Sequence, residues 1–151
     1  NYTLYFAWDF LVSIASAFVI SKAMQMSGLA DAVAAWTVGL SQNYSPVVLL
    51  GVVFIITNLF TELMTNNAAA ALAFPISLSI AEHLSVSPMP FFVTICLAAS
   101  ASFSTPIGYQ TTLIVQGIGN YRFGDFVRVG LPLNLMTLIV AVTLVPLIWP
   151  F

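Results

Sequence analysis

The sequence predicts an all-α fold embedded in a lipid bilayer, and three observations support this prediction. Hydrophobic residues make up 60% of the 151 residues, whereas charged residues make up only 5%. Soluble domains carry about 25% charged residues, so this chain has too few of them to cover a water-facing surface. Its long apolar runs do not alternate residue by residue, and they therefore predict membrane-spanning helices.

Charge and cysteine content exclude several classes of function. The net charge is −2, and no cluster of basic residues favours nucleic-acid binding. The single cysteine, Cys96, excludes a disulfide within the chain and is interpreted as a packing residue. One histidine and one cysteine far apart form neither a metal cluster nor a catalytic triad, so we do not expect an enzyme. The chain begins without a methionine, and we expect it to be a piece of a longer protein.

The first two predicted elements are a membrane span and a shorter helix. The span covers residues from about 4 to 26, with Asp9 and Lys22 near its two ends as anchors at the membrane interface. The second helix covers about 29–40 and is too short to cross. Its amphipathic spacing predicts a helix at the membrane surface, with Trp36 at the level of the lipid headgroups.

Residues from about 46 to 84 predict a helical hairpin with a polar tip at 61–67. Pro46 suits the first position of its first helix, and Pro75 predicts a kink in the second. We expect arms of about 14–17 residues, or about 21–26 Å. This is shorter than the hydrocarbon core of about 30 Å, which favours a re-entrant hairpin. Two ordinary spans joined by a short loop remain the alternative.

A second polar stretch interrupts the next predicted span, which covers residues from about 90 to 118. The break lies near Thr105 and Pro106, where proline removes a backbone donor and Gly108 loosens the helix. Such a break at membrane depth is tolerated only where it lines protein or a cavity. The last span covers about 130–150, after a hydrophilic stretch at 119–130 whose arginines favour the cytoplasmic side.

The two polar breaks carry groups that suit an ion pair. Hydroxyl and amide oxygens suit sodium, whereas amide N–H groups and helix N-termini suit an anion. Neither break contains lysine or arginine, so a bound anion requires a co-bound cation, and we expect cation-coupled transport. Glu62 is interpreted as a structural carboxylate bonded to the amides of the tip. A proton relay is the weaker reading, because Glu62 is the only carboxylate near the centre.

Two motifs resemble signatures of the divalent anion/sodium symporter family. Phe-Thr-Glu-Leu-Met-Thr-Asn-Asn-Ala-Ala-Ala at 60–70 resembles its hairpin-tip signature. Ala-Ser-Phe-Ser-Thr-Pro-Ile-Gly-Tyr-Gln-Thr at 101–111 resembles its unwound-helix signature. The sequence that follows is similar to the branch that includes sulfate permeases. The resemblance covers essentially the whole chain, as the C-terminal half of such a transporter.

The resemblance implies an elevator-type transporter, usually a homodimer, built from two inverted repeats. This chain would be one repeat, with a re-entrant helical hairpin and a discontinuous transmembrane helix, and its partner would be the N-terminal half. The positions implied for the substrate are Thr65, Asn66, Asn67, Thr105 and Pro106. The positions implied for sodium, partly through backbone oxygens, are Thr61, Met64, Asn66 and Ser104.

Departures from these signatures leave the substrate open. The triplet at 65–67 reads Thr-Asn-Asn where the family usually has Ser-Asn-Thr, and Gln110 follows Tyr109 where dicarboxylate carriers commonly have a second proline and then asparagine. We expect sodium-coupled symport of a small divalent anion across the plasma membrane. Sulfate is the first expected substrate, and a dicarboxylate such as succinate or citrate is the second. Sodium is the coupling ion, and we expect no other cofactor. The alternatives are an arsenite or organic-acid exporter of the same superfamily, or a non-transporting membrane subunit.

Overall fold

The computed structural model describes residues 8–40, 45–119 and 121–151, and these residues form seven α-helices without a strand. The helices are α1 (Trp8–Met26), α2 (Leu29–Leu40), α3 (Pro46–Leu63), α4 (Asn66–Leu84), α5 (Met89–Ser100), α6 (Gln110–Gly119) and α7 (Phe123–Ile148). The predicted all-α class is therefore confirmed for the described residues. The first residues of the predicted first span, 4–7, and most of the polar turn before Pro46 lie outside them.

A tight turn at Gly28 folds α2 back from α1. Gly28 has a φ of +71°, a left-handed conformation that glycine adopts without a steric cost. Both helices pack against α4. On α2, Ala30 and Ala34 are buried, and Asp31 Oδ1 accepts a hydrogen bond of 2.6 Å from Ser79 Oγ on α4. Trp36 lies on the outer side and is exposed.

The break between α3 and α4 is shorter than the sequence predicts. The expected polar tip at 61–67 reduces to Met64 and Thr65, because α3 continues to Leu63 and α4 begins at Asn66. Met64 is extended, and Thr65 caps α4 by accepting a 3.4 Å hydrogen bond from the Ala68 N–H.

The two helices of this hairpin are also longer than the expected arms. They contain 18 and 19 residues, or about 27 and 29 Å at 1.5 Å per residue. Each is thus nearly as long as the hydrocarbon core of about 30 Å is thick. The argument that short arms require a re-entrant hairpin is therefore wrong for these helices. A proline at position 75 is accommodated within α4, which continues to Leu84.

The core lies where α3, α4 and α5 pack against one another. Phe54 and Phe91 are fully buried there, and the rings of Phe74 and Phe92 stack at a centroid distance of 4.7 Å. α7 adds one face to this core, with Ala141 and Val145 buried. Among the described helices, α3 and α7 are long and apolar enough to cross a membrane, with mean hydropathies of 2.0 and 2.2.

The next helix pair is interrupted at residues 101–109, which are not helical and contain Thr105 and Pro106. We call residues 101–109 the unwound loop. Its backbone lies directly on α7 at Gly130, where a Cβ would stand 2.1 Å from the Phe103 carbonyl oxygen. α7 begins at Phe123, about seven residues before the predicted start of the last span. The Asp125 carboxylate caps it by accepting a 2.8 Å hydrogen bond from the Arg122 N–H.

Candidate functional site

Side chains from α3 and the unwound loop contact the carbonyl groups at the end of α5 and at its C-cap residue, Ala101. Those carbonyls have no partner within the helix, so they require donors from elsewhere. Asn58 Nδ2 donates to Ala101 O at 2.5 Å, and Thr61 Oγ1 lies 2.7 Å from Ala99 O. The Tyr109 hydroxyl donates to Ser100 O at 3.0 Å. These contacts hold the end of α3, next to the hairpin tip, against the point where α5 unwinds.

A chain of polar contacts crosses this junction, and it has one hydrogen-bonding proton fewer than it has close contacts. Thr61 Oγ1 lies 2.7 Å from Ala99 O and 2.8 Å from Asn66 Oδ1. Asn66 Nδ2 donates to the Tyr109 hydroxyl at 2.9 Å, and that hydroxyl donates to Ser100 O. Thr61 has a single hydroxyl proton for its two acceptors. One close pair of oxygens therefore faces each other without a hydrogen between them.

Oxygens in this arrangement suit a small hard cation. Thr61 Oγ1, Asn66 Oδ1 and Ala99 O share one proton, and we call these three atoms the tip oxygens. A cation in contact with two of them would remove the repulsion between their lone pairs, and oxygen donors are the ligands that hard cations prefer. Among the described residues, no three His, Cys, Asp or Glu side chains are grouped closely enough to hold a metal ion.

Two helix N-termini meet at the same place. α4 begins at Asn66, and Tyr109 immediately precedes α6; the side chains of these two residues are in contact at 2.9 Å. Helix N-termini carry free N–H groups and a partial positive charge, which together favour an anion. Thr65 and Asn67 flank Asn66 and are exposed. Their side chains are therefore accessible to a ligand at this junction.

The neighbouring carboxylate, Glu62, is buried on the other side of the tip. Only 6% of its surface is exposed. Its Oε1 accepts hydrogen bonds from the Ser104 N–H at 2.9 Å and from Asn134 Nδ2 at 2.8 Å, and Ser102 Oγ lies 3.4 Å from Oε2. The expected bonding to the amides of the tip is replaced by bonding to the unwound loop and α7. Glu62 thereby joins three separate parts of the chain.

The structure divides the predicted site residues into two groups. Thr61 and Asn66 are in contact with each other, and Met64 connects their helices with its N–H bonded to Phe60 O at 3.0 Å. Ser104 contacts Glu62 and Asn134 instead, through its N–H and its hydroxyl. The two predicted substrate positions of the unwound loop lie on the Glu62 side or in the interior. Thr105 Oγ1 donates to Glu62 O at 2.7 Å, and Pro106 is buried.

Four polar residues that were not predicted as site residues complete these two groups. Ser102 and Tyr109 lie in the second polar break, and the other two are Asn58 and Asn134. Asn134 carried a usable signal, because it is an amide in the apolar run from Leu131 to Leu138. A polar residue at that depth of a span generally faces the protein interior and has a functional partner. Asn58 carries the same signal within α3.

Comparison with known proteins places the chain among membrane transporters. The family described as "Citrate transporter" matches residues 2–151. An uncharacterized transporter of Synechocystis sp. is 37% identical over 142 residues, which cover 94% of this chain and 23% of that protein. Sodium/sulfate cotransporter 2 of Chlamydomonas reinhardtii is 37% identical over 135 residues, covering 89% of this chain and 15% of that protein.

A more distant relative has a different substrate in its name. The sodium-dependent dicarboxylate transporter of Staphylococcus saprophyticus is 27% identical over 146 residues, covering 95% of this chain and 27% of that protein. The chain thus spans about a quarter or less of the first curated relatives it matches. Since the family match extends over nearly every residue, the chain belongs to the citrate transporter family, whose relatives here are transporters of the divalent anion/sodium type.

Proposed function

We propose that this chain belongs to the C-terminal half of a plasma-membrane symporter that couples sodium to a small divalent anion, with sulfate as the first candidate. The observation that carries this proposal is the junction at Asn66. There the tip oxygens are short of a proton, while the N-termini of α4 and α6 meet beside them. An anion and its coupling cation can therefore bind next to each other without any basic side chain.

The anion end of the site would consist of Thr65 at the tip together with Asn66 and Asn67 at the start of α4. The family resemblance adds Thr105 and Pro106 of the unwound loop, but Thr105 donates to Glu62 O and Pro106 is buried, so we assign them to the wall behind the site and not to the anion itself. Asn66 would serve both ions, because its amide offers an oxygen to the cation and a nitrogen to the anion side. Sodium ligands would be the tip oxygens, with backbone oxygen at Met64. Ser104 faces Glu62 and is therefore not assigned to this first sodium site.

Sulfate is preferred as the substrate because the sodium/sulfate cotransporters of Chlamydomonas reinhardtii are 34–38% identical to this chain. The named dicarboxylate transporter is less similar, at 27% identity, and we therefore keep a dicarboxylate as the second candidate. Both substrates are compact dianions with oxygen acceptors, so the same N–H groups would bind either one.

The contact between the tip and the unwound loop supports a re-entrant hairpin. α5 and α6 have 12 and 10 residues, or about 18 and 15 Å, each about half of the hydrocarbon core. If α5 and α6 together form one span, their break lies near the membrane centre, and the tip in contact with it lies there too. We infer an elevator-type half that requires its N-terminal repeat, and assembly as a homodimer, in keeping with the family resemblance.

The test is uptake of radiolabelled sulfate and succinate by the full-length protein in proteoliposomes, with an inward sodium gradient or with choline instead. We expect sodium-dependent sulfate uptake, and we expect Asn66→Ala to lose it, because that change removes ligands of both ions. The matched control is Gln25→Ala, which removes an exposed amide of α1 outside both polar breaks and should transport normally. Normal uptake by Asn66→Ala, or sulfate uptake independent of sodium, would contradict the proposal.

A further inference from the structure

The buried Glu62 carboxylate has donors of hydrogen bonds but no compensating positive charge in its contacts. The backbone N–H of Ser104, Nδ2 of Asn134 and the Ser102 hydroxyl are all neutral donors. The basic residues of the chain are Lys22, Arg122 and Arg128, and all three are exposed. A buried ionised carboxylate carries a large free-energy cost unless a cation or a set of strong hydrogen bonds compensates it.

Its donors are concentrated on one oxygen. Glu62 Oε1 accepts two hydrogen bonds of 2.8 and 2.9 Å, whereas Oε2 has the Ser102 hydroxyl at 3.4 Å. Ser102 Oγ also lies 3.2 Å from Thr61 O and has a single proton for these two acceptors. Oε2 thus keeps acceptor capacity in the interior, next to the hydroxyl of Ser102 and the carbonyl of Thr61.

Asn134 has the second unsatisfied group of this cluster. Its exposed fraction is 7%, and its Oδ1 is buried without a hydrogen-bond partner, while its Nδ2 donates to Glu62 Oε1 and to Ser104 Oγ, both at 2.8 Å. An unpaired buried carbonyl oxygen is rare and calls for an explanation. Rotating the amide by half a turn would bring this oxygen against the carboxylate, where only a cation or a proton would make the contact favourable.

We propose that four residues, Glu62, Ser102, Ser104 and Asn134, form a second sodium site, separate from the tip oxygens. We call these four residues the Glu62 cluster. Glu62 supplies the negative charge, and the serine hydroxyls and the amide oxygen of Asn134 complete a set of hard oxygen ligands. The Asn134 NH2 group faces Glu62 in this structure, and its oxygen would face Glu62 with the cation bound. Glu62, Ser104 and Asn134 also lie at the edge of an open, largely apolar groove of about 540 Å³ between α3 and α7.

This site would couple the hairpin to α7. Glu62 is at the end of α3, Ser102 and Ser104 are in the unwound loop, and Asn134 is on α7. A cation held by all three parts stabilises the arrangement in which the tip and the unwound loop face each other. Binding at the Glu62 cluster would therefore favour anion binding at the tip, since a ligand stabilises whichever state it binds more tightly.

The inference rests on the proposed symport, and it is tested in the same full-length transporter. We would measure the number of sodium ions carried per sulfate with both labels, and the sodium concentration that gives half-maximal uptake. For Glu62→Gln we expect about one sodium fewer per sulfate, and a half-maximal concentration raised about tenfold, equivalent to about 1.4 kcal/mol. The control is Asp125→Asn, which removes an exposed carboxylate from α7 and should keep both wild-type values.

A charge exchange separates a cation site from a structural role. The double variant Glu62→Gln with Asn134→Asp keeps one carboxylate and one amide in the cluster with their positions exchanged. We expect it to recover the lost sodium, which a purely structural role of Glu62 does not predict. If Glu62→Gln does not fold, the single variant Asn134→Ala is measured instead, with the same loss of sodium expected.

The outcomes separate the two proposals. A wild-type protein whose uptake does not depend on sodium contradicts the symport itself. A sodium-dependent wild type, together with a Glu62→Gln variant that keeps the wild-type sodium-to-sulfate ratio, overturns the second site alone. If Glu62→Gln keeps the wild-type sodium-to-sulfate ratio but changes the movement of protons, the second sodium site is overturned as well, because Glu62 would then carry a proton and not bind sodium.

Discussion

Replacing Gly130 with alanine should push the unwound loop away from α7. An added Cβ would lie 2.1 Å from Phe103 O, 2.3 Å from Phe103 C and 2.5 Å from Ser104 Cα. All three atoms belong to the backbone, so no side-chain rotation can relieve the overlap. Ordinary contact begins near 3.4 Å, and the two segments must therefore separate by about 1 Å, a small-to-large change that generally costs about 1–3 kcal/mol.

The separation acts directly on the Glu62 cluster. Gly130 lies one helical turn before Asn134, and the Ser104 N–H and Asn134 Nδ2 approach the same Glu62 oxygen. Moving the loop or α7 lengthens at least one of these hydrogen bonds to a charged group, each of which contributes about 1.5–3 kcal/mol. We therefore expect Gly130→Ala to lower the unfolding free energy by about 2–4 kcal/mol and to reduce sulfate uptake strongly.

The same helix offers a matched control. Gly124 is also in α7, and no atom within 4 Å would meet a Cβ there. Gly124→Ala should leave stability unchanged or raise it by up to about 1 kcal/mol, because alanine favours helix. The assay is thermal unfolding of the purified full-length variants in detergent, together with uptake. Equal unfolding temperatures and equal uptake for the two variants would refute the reasoning about the loop.

Two further substitutions test the junction at Asn66. Thr61→Val removes the hydroxyl that belongs to the tip oxygens while keeping the shape of the side chain, so half-maximal uptake should require about tenfold more sodium. Thr61→Ser keeps a hydroxyl at this position and should behave nearly as wild type. Equal sodium dependence of uptake for all three proteins would contradict the cation site. Tyr109→Phe removes the hydroxyl between Asn66 and Ser100. The loss of about 1–1.4 kcal/mol of binding free energy should raise the KM for sulfate about five- to tenfold, with little change in melting temperature. An unchanged KM would show that this hydroxyl does not position Asn66.

Sequence patterns predicted the helices better than the contacts between them. The interruption near Thr105 and Pro106 was placed from proline and glycine chemistry, which acts locally. The sequence predicts a longer hairpin tip than the structure has, because polar residues between apolar runs indicate a loop even where they continue a helix. In the structure Thr61 and Glu62 end α3, and Asn66 begins α4 with Thr65 as its cap.

The partners of Glu62 could not be read from local patterns. Asn134 is 72 positions away along the chain, and only the packing of α7 against the unwound loop brings the two together. That packing depends on Gly130, which the sequence places at the boundary between a hydrophilic stretch and the last span but which lies seven residues after the start of α7. Long-range contacts of this kind follow from tertiary packing, to which hydrophobic periodicity is insensitive.

The central claim is that sodium at the tip oxygens enables the anion to bind beside them, and sulfate binding in the absence of transport tests it most directly. The purified full-length protein would be titrated with sulfate in sodium buffer and in choline buffer at equal ionic strength. We predict saturable binding in sodium and an affinity at least about a hundredfold weaker in choline, a coupling of about 2.7 kcal/mol. The same dissociation constant in both buffers would contradict the account.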